Sequence, residues 1–152
     1  MSFDQSTTAT GWCLFENTAC LAHGLLNLKR FKGDKDERVG EMLKRIRKTI
    51  EDNAPDKVVI EDVVLQRSPQ TLKDLSQLQG TIMGICYGMN IPCEVLFPSA
   101  WRKQLHFKQG KGIKRPELKQ QAKDYVKQAY GITPTEDECD AICIGLAYIK
   151  NL

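Results

Sequence analysis

Residues 57–61, Lys-Val-Val-Ile-Glu, set three β-branched side chains in a row with no polar residue between them. A strand that reads this way has no solvent face, so it belongs inside a sheet covered on both sides. The flanking segments supply the covers. Between Asp36 and Asn53, Val39, Met42, Leu43, Ile46 and Ile50 recur at three- and four-residue spacing among charges, the apolar stripe of a helix that Pro55 ends. Between Gln70 and Met89, Leu72, Leu75, Leu78, Ile82, Ile85 and Met89 mark a second helix, along which Gly80, Gly84 and Gly88 form a row. Each of those glycines costs ~1 kcal/mol relative to alanine. The row therefore predicts close backbone approach on that face, to the sheet or to a second copy of the chain.

The first 28 residues carry few charges, and GWCLFE (11–16) and CLAHGLLNL (20–28) read as strands joined by a turn at Glu16-Asn17-Thr18. MSFD would be a short first strand and CEVLF (93–97) a fifth. Lys114 to Tyr130 reads as a basic helix. Thr133-Pro134-Thr135-Glu136 opens the last one, with Thr133 as N-cap, Pro134 in the first helical position and Glu136 closing a capping box. The order of three strands, helix, strand, helix, strand, helices is that of an α/β protein, a mixed sheet with helices on its faces. A chain of 152 residues with 41% apolar composition suits a single domain spanning 1–152.

Six cysteines (13, 20, 86, 93, 139, 143) sit in apolar runs such as AICIG, which predicts free thiols, and no spacing resembles a paired zinc motif. No leader pattern opens the chain, so a cytoplasmic location is expected. The longest uncharged stretch, Leu75 to Cys93, contains Gln77, Gln79, Asn90 and Pro92, too polar for a membrane span.

Four acids stand out by position. Asp4 ends the first strand and Glu61 the buried fourth, and strand ends are where open α/β sheets place their sites. Asp137 and Asp140 lie three apart in the last helix, on one face, immediately before an apolar run. Singly, Asp137 suits the helix dipole and Glu61 a solvated strand end. Together, clustered carboxylates repel unless a cation neutralises them, and hard oxygen donors suit Mg²⁺ or Mn²⁺.

The net charge of +3 says little, but its distribution says more. From Phe97 to Gly131 nine bases (Arg102, Lys103, Lys108, Lys111, Lys114, Arg115, Lys119, Lys123, Lys127) face two acids, Glu117 and Asp124. Lys119, Lys123 and Lys127 read as a solvated helix stripe. KQGKGIKR is instead a glycine-containing loop, suited to phosphate contacts in DNA.

The segment FDQSTTATGW, an Asp followed six and seven residues later by Thr10-Gly11, resembles the opening of the RuvC family of Holliday junction resolvases. VVIEDV resembles its second motif and DECDAICIGLAY its final DxxDA helix. The resemblance implies the ribonuclease H-like fold, a five-stranded mixed sheet flanked by helices, with the fourth strand parallel to the first. It places the family's four catalytic acids, as metal ligands, on Asp4, Glu61, Asp137 and Asp140. It implies two Mg²⁺ ions per site, replaceable by Mn²⁺, and attack by water on the phosphodiester to leave a 5′-phosphate and a 3′-hydroxyl. It implies a homodimer on four-way DNA junctions, with the Gln70–Met89 helix in the interface, and basic DNA contacts at Arg102 or Lys103 and Lys114 or Arg115. The chain is shorter than bacterial members, which suggests a phage-type member.

One departure stands out. Bacterial members carry an aromatic residue just after the second-motif Glu, whereas this chain has Val63, Val64, Leu65, Gln66 and Arg67. Val64 or Leu65 would then be the apolar wedge, with weaker stacking. Such an enzyme is expected to read branch shape, cutting three-way as well as four-way junctions at many sequences. Two alternatives remain at this point: a ribonuclease H-like nuclease acting on RNA or RNA:DNA hybrids, and a non-catalytic junction-binding module.

Overall fold

In the computed structural model, which describes residues 1–64 and 68–151, β4 (Val58–Glu61) is paired on both sides by parallel strands. Its neighbours are β1 (Ser2–Asp4) and β5 (Cys93–Leu96); β2 (Ala9–Glu16) and β3 (Ala19–Asn27) extend the sheet antiparallel, in the order β3-β2-β1-β4-β5. The helices are α1 (Lys35–Asn53), α2 (Pro69–Gly88), α3 (Pro98–Gln104), α4 (Arg115–Tyr130) and α5 (Glu136–Lys150). Leu65 lies outside the described residues.

The missing alternation in β4 has the expected cause. Val58 and Ile60, with Phe3 of β1, pack among Met42, Ile46, Leu78 and Ile82 of α1 and α2. Val59 points the other way, into a second core with Val126 of α4 and Ile142 and Cys143 of α5. Ser2 shares that side, and its Oγ donates to the Ala141 carbonyl of α5 at 2.6 Å. Because side chains alternate along a strand, Asp4 follows Ser2 and Glu61 follows Val59 onto the α5 face.

Helix α5 is buried without a break from Glu138 to Ala147, enclosed by the sheet, α3 and α4, which is why its sequence is apolar all round from Ala141 to Ala147. Two glycines admit it. A Cβ on Gly11 would overlap the Asp137 carbonyl, and one on Gly145 would overlap the Phe15 ring and Ser2 Oγ.

The structure corrects one local expectation. The N-cap of α5 is Thr135, not Thr133, and the capping box closes on Glu138. TPTEDE contains both boxes, and the second wins because Glu138 Oε1 also bonds His23 Nδ1 of β3 at 2.8 Å. Residues 98–104, which have no periodicity long enough to read, form the short helix α3. The glycine row of α2 does not pack on the sheet: among the described residues nothing lies within 4 Å of a Cβ built at Gly80, Gly84 or Gly88. All six cysteines are free, and among the described residues no helix is long and apolar enough to cross a membrane.

Gly11→Ala should destabilise the protein by roughly 1–3 kcal/mol, because the overlap is with backbone that has nowhere to go. A lowered urea midpoint would report it. An unchanged midpoint would show that α5 is not held this closely.

Candidate active site

Asp4 and Glu61 each stand one residue beyond the parallel Phe3–Ile60 pair, at the same end of adjacent strands. The side chain of Gln5 bridges the two strand ends, its Nε2 donating to the Glu61 carbonyl and its Oε1 accepting from the Glu61 N–H. The following turn is held by Thr10, whose Oγ1 accepts from the Ser6 N–H and donates to the Ser6 carbonyl. Thr10 and Gly11 therefore do different work: one ties the loop after Asp4, and the other lets the first turn of α5 approach. That turn brings Asp137 and Asp140 over the strand ends, so all four acids line one cleft of about 580 Å³.

Two cations enter the cluster, one from α4 and one from α3. The Lys119 ammonium of α4 lies 3.7 Å from Asp4 Oδ2, 3.7 Å from Asp137 Oδ1 and in hydrogen-bond contact with Asp140 Oδ2. Arg102 of α3 lies 3.5 Å from Glu61 Oε1, stacked over the Trp101 ring. Trp101 itself is buried edge-on to Phe107 and donates from Nε1 to the same Glu61 oxygen at 2.7 Å, which fixes the carboxylate's rotamer. Asp62, one residue on, points to the other face, where it accepts from Gln79 of α2.

Burial holds three of these acids above their ordinary range. Asp4 is pushed up well above it, first by burial and then by Asp140 and Glu61, against the pull of Lys119. Asp140 is raised by burial although Lys119 and Arg102 oppose the shift, and Glu61 is raised by burial against the Trp101 hydrogen bond and Arg102. The Lys119 ammonium is the converse case. Burial acts against its charge, but Asp140, Asp4 and Asp137 outweigh it and raise its pKa.

Of the other residues singled out by sequence, Arg115 and Val64 line the same cleft. Lys103 faces a separate cavity with Leu96 and Tyr148. Lys108, Lys111 and Lys114 stand exposed on the loop between α3 and α4. Sequence reasoning missed Lys119, whose spacing matches that of Lys123 and Lys127, and it missed Gln5 and Trp101. The signal for Trp101 was available: a tryptophan one residue before an arginine, just after a strand end. A second cavity of about 490 Å³, at the opposite end of the sheet beside Met1, Pro55 and Tyr148, is lined by no buried carboxylate.

The carboxylates provide hard oxygen donors that fit Mg²⁺ or Mn²⁺ by chemistry. As they stand, no group of three or more Asp, Glu, His or Cys among the described residues is spaced to hold a metal ion. The ammonium of Lys119 is what three of the acids converge on.

A five-stranded mixed sheet in this order, with helices on both faces, is the α/β fold called ribonuclease H-like. Within that class the chain is similar to RuvC. It superposes on Thermus thermophilus RuvC in complex with Holliday junction substrate with a TM-score of 0.78 and 16% identity, covering 97% of this chain and 90% of that one. A second Thermus thermophilus RuvC structure gives 0.71, also at 16% identity, with 97% and 91% covered. No family model matches the chain, and no curated protein matches it in sequence.

A carboxylate whose folded-state pKa is raised contributes stability below its unfolded value and loses it as pH rises through the folded value. Neutralising such a group should help most where it would be charged. Asp4→Asn is therefore expected to melt higher than the unmodified protein in EDTA, by a few degrees, with a gain that grows as pH rises from about 4 to 8. A gain that shrank over that range would contradict the raised pKa.

Proposed function

We propose that this protein is a Mg²⁺-dependent, structure-selective DNA endonuclease that resolves four-way junctions and also cuts other branched DNA, acting as a homodimer. The observation that carries the reading is the convergence of Asp4, Glu61, Asp137 and Asp140 on one cleft at the ends of two parallel strands, beside basic side chains. The fold likeness to a RuvC bound to Holliday junction substrate supports the choice of DNA substrate.

The four carboxylates would hold two divalent ions, which when bound supply an activated water and a clamp on the scissile phosphate. The chain's own residues do the rest. Trp101 and Gln5 fix the carboxylate and backbone of Glu61, and Gly11 sets the depth of Asp137. Arg102 and Arg115 offer guanidinium groups to phosphates entering the cleft, and Lys108, Lys111 and Lys114 extend that basic surface along the strand. Val64, which lines the cleft and is 42% exposed, would press on an unstacked base. Its side chain carries no ring, so recognition rests on branch geometry more than on base identity.

Paired nicks across a four-way junction need two equivalent sites, which a two-fold dimer supplies. The open glycine row of α2 supports that helix as the interface. Gly84 and Gly88 border a groove of about 390 Å³ whose walls include Ile85 and Met89, and among the described residues no atom lies within 4 Å of a Cβ built at Gly80, Gly84 or Gly88 to offset the helix propensity they cost.

Labelled four-way junction, three-way junction, RNA:DNA hybrid and plain duplex, incubated with and without Mg²⁺, test the activity. Junctions are expected to be cut only with Mg²⁺. Asp4→Asn, Glu61→Gln and Asp140→Asn should abolish cutting while retaining junction binding in EDTA, since each removes repulsion toward phosphate as well as a ligand. Near wild-type cutting by Asp4→Asn or Glu61→Gln, or preference for the hybrid, would overturn the assignment. Gly84→Leu should leave the monomer folded, because the site is open, and should shift sedimentation from dimer to monomer at micromolar concentration; an unchanged dimer would remove α2 from the interface.

A further inference from the structure

Among the described residues four bases line the cleft, and of these Lys119 alone has its charge against three of the acids. Lys123, one turn on in the same helix, pairs outward with Glu136 at 2.7 Å, and Arg102 makes its ion pair with Glu61, over the Trp101 ring. Lys119 turns inward instead, with 17% of its side chain exposed, and brings one ammonium to Asp4, Asp137 and Asp140 together. A Mg²⁺ ion bound to those carboxylates would need their oxygens at about 2.0–2.1 Å in a near-octahedral shell. The hydrogen bond from Lys119 to Asp140 Oδ2 occupies one of the same oxygens. Two cations in direct contact with one carboxylate oxygen, and a few ångströms from each other, repel strongly in a half-buried site.

We propose that Lys119 is a built-in counter-cation that competes with divalent metal for Asp4, Asp137 and Asp140, so that metal loads only as the ammonium withdraws from the cluster. The inference rests on the metal-dependent reading above and adds to it a device that sets the metal affinity. The amine offsets repulsion among buried acids and keeps them together, and it lowers their affinity for the metal by the same contacts. Withdrawal needs only rotation about the long, flexible lysine stem, which starts on α4 beside the open cleft. Ion binding and the ammonium contact are then two alternative ways of neutralising one set of oxygens.

The test is Mn²⁺ binding without DNA, by titration calorimetry, to the unmodified protein, Lys119→Gln and Lys119→Met, with folding checked by circular dichroism. Both variants are expected to bind Mn²⁺ about tenfold tighter or more, to melt lower in EDTA, and to gain more in melting temperature from the metal. Unchanged or weaker binding by a folded variant would overturn the proposal, because a purely structural clip predicts that result. Should neither variant fold, selective ¹³Cε labelling of lysine in the unmodified protein decides: the Lys119 signal is expected to move toward that of a solvated lysine as Mg²⁺ saturates the site. A signal unmoved at saturation would overturn the proposal. Absence of any Mn²⁺ binding to the unmodified protein is a different failure, since it removes the metal-dependent nuclease reading and this inference with it.

Discussion

The rest of the molecule depends on how closely α5 lies on the sheet. Gly11 and Gly145 let the helix backbone come into contact with β2 and with the side chains of Ser2 and Phe15. That contact buries ten consecutive residues, Glu138 to Ala147, and links the core on one face of the sheet to the cleft at its end. A helix one side-chain layer further out would leave Asp137 and Asp140 beyond reach of Asp4 and Glu61. Packing thus sets the chemistry: the glycines are where the spacing of the acid cluster is decided. The bond from His23 to Glu138 and the Thr135 capping box fix the helix start in the same register.

The same closeness makes the cleft costly for the fold. Burial raises Asp4, Glu61 and Asp140, and two cations, Lys119 and Arg102, offset part of the repulsion. The proposed metal role would account for this cost, since perturbed acids held in a cleft by orienting side chains recur where stability is given up for chemistry. Trp101 shows the pattern most directly. Its ring belongs to the hydrophobic core, and its N–H leaves that core to hold one oxygen of Glu61.

Much of this architecture is legible in the chain, for identifiable reasons. The unbroken Val58-Val59-Ile60 run signals a strand between two cores, and the structure has those two cores. The α1 stripe reads as a helix because Met42, Ile46 and Ile50 share one buried face. What pattern did not reveal depends on tertiary partners. Ser2 looks polar for a core strand until Ala141 accepts its hydroxyl, and the two overlapping capping boxes of TPTEDE are separated only by His23, more than a hundred residues away. Lys119 has the spacing of a solvated stripe, and no periodicity distinguishes a lysine turned inward from those turned out. The glycine row suggests close packing, and the described residues of its own chain leave it open.

The central claim is that Asp4, Glu61, Asp137 and Asp140 form one divalent-metal site. Replacing Mg²⁺ by Fe²⁺ and generating hydroxyl radicals with ascorbate and peroxide cuts a polypeptide beside the bound ion, so sequencing the fragments maps the ligands directly. The account predicts breaks confined to the neighbourhoods of residues 4, 61 and 137–140, suppressed by excess Mg²⁺ and lost in Asp4→Asn. Breaks elsewhere in the chain, or the same breaks in Asp4→Asn, would contradict it.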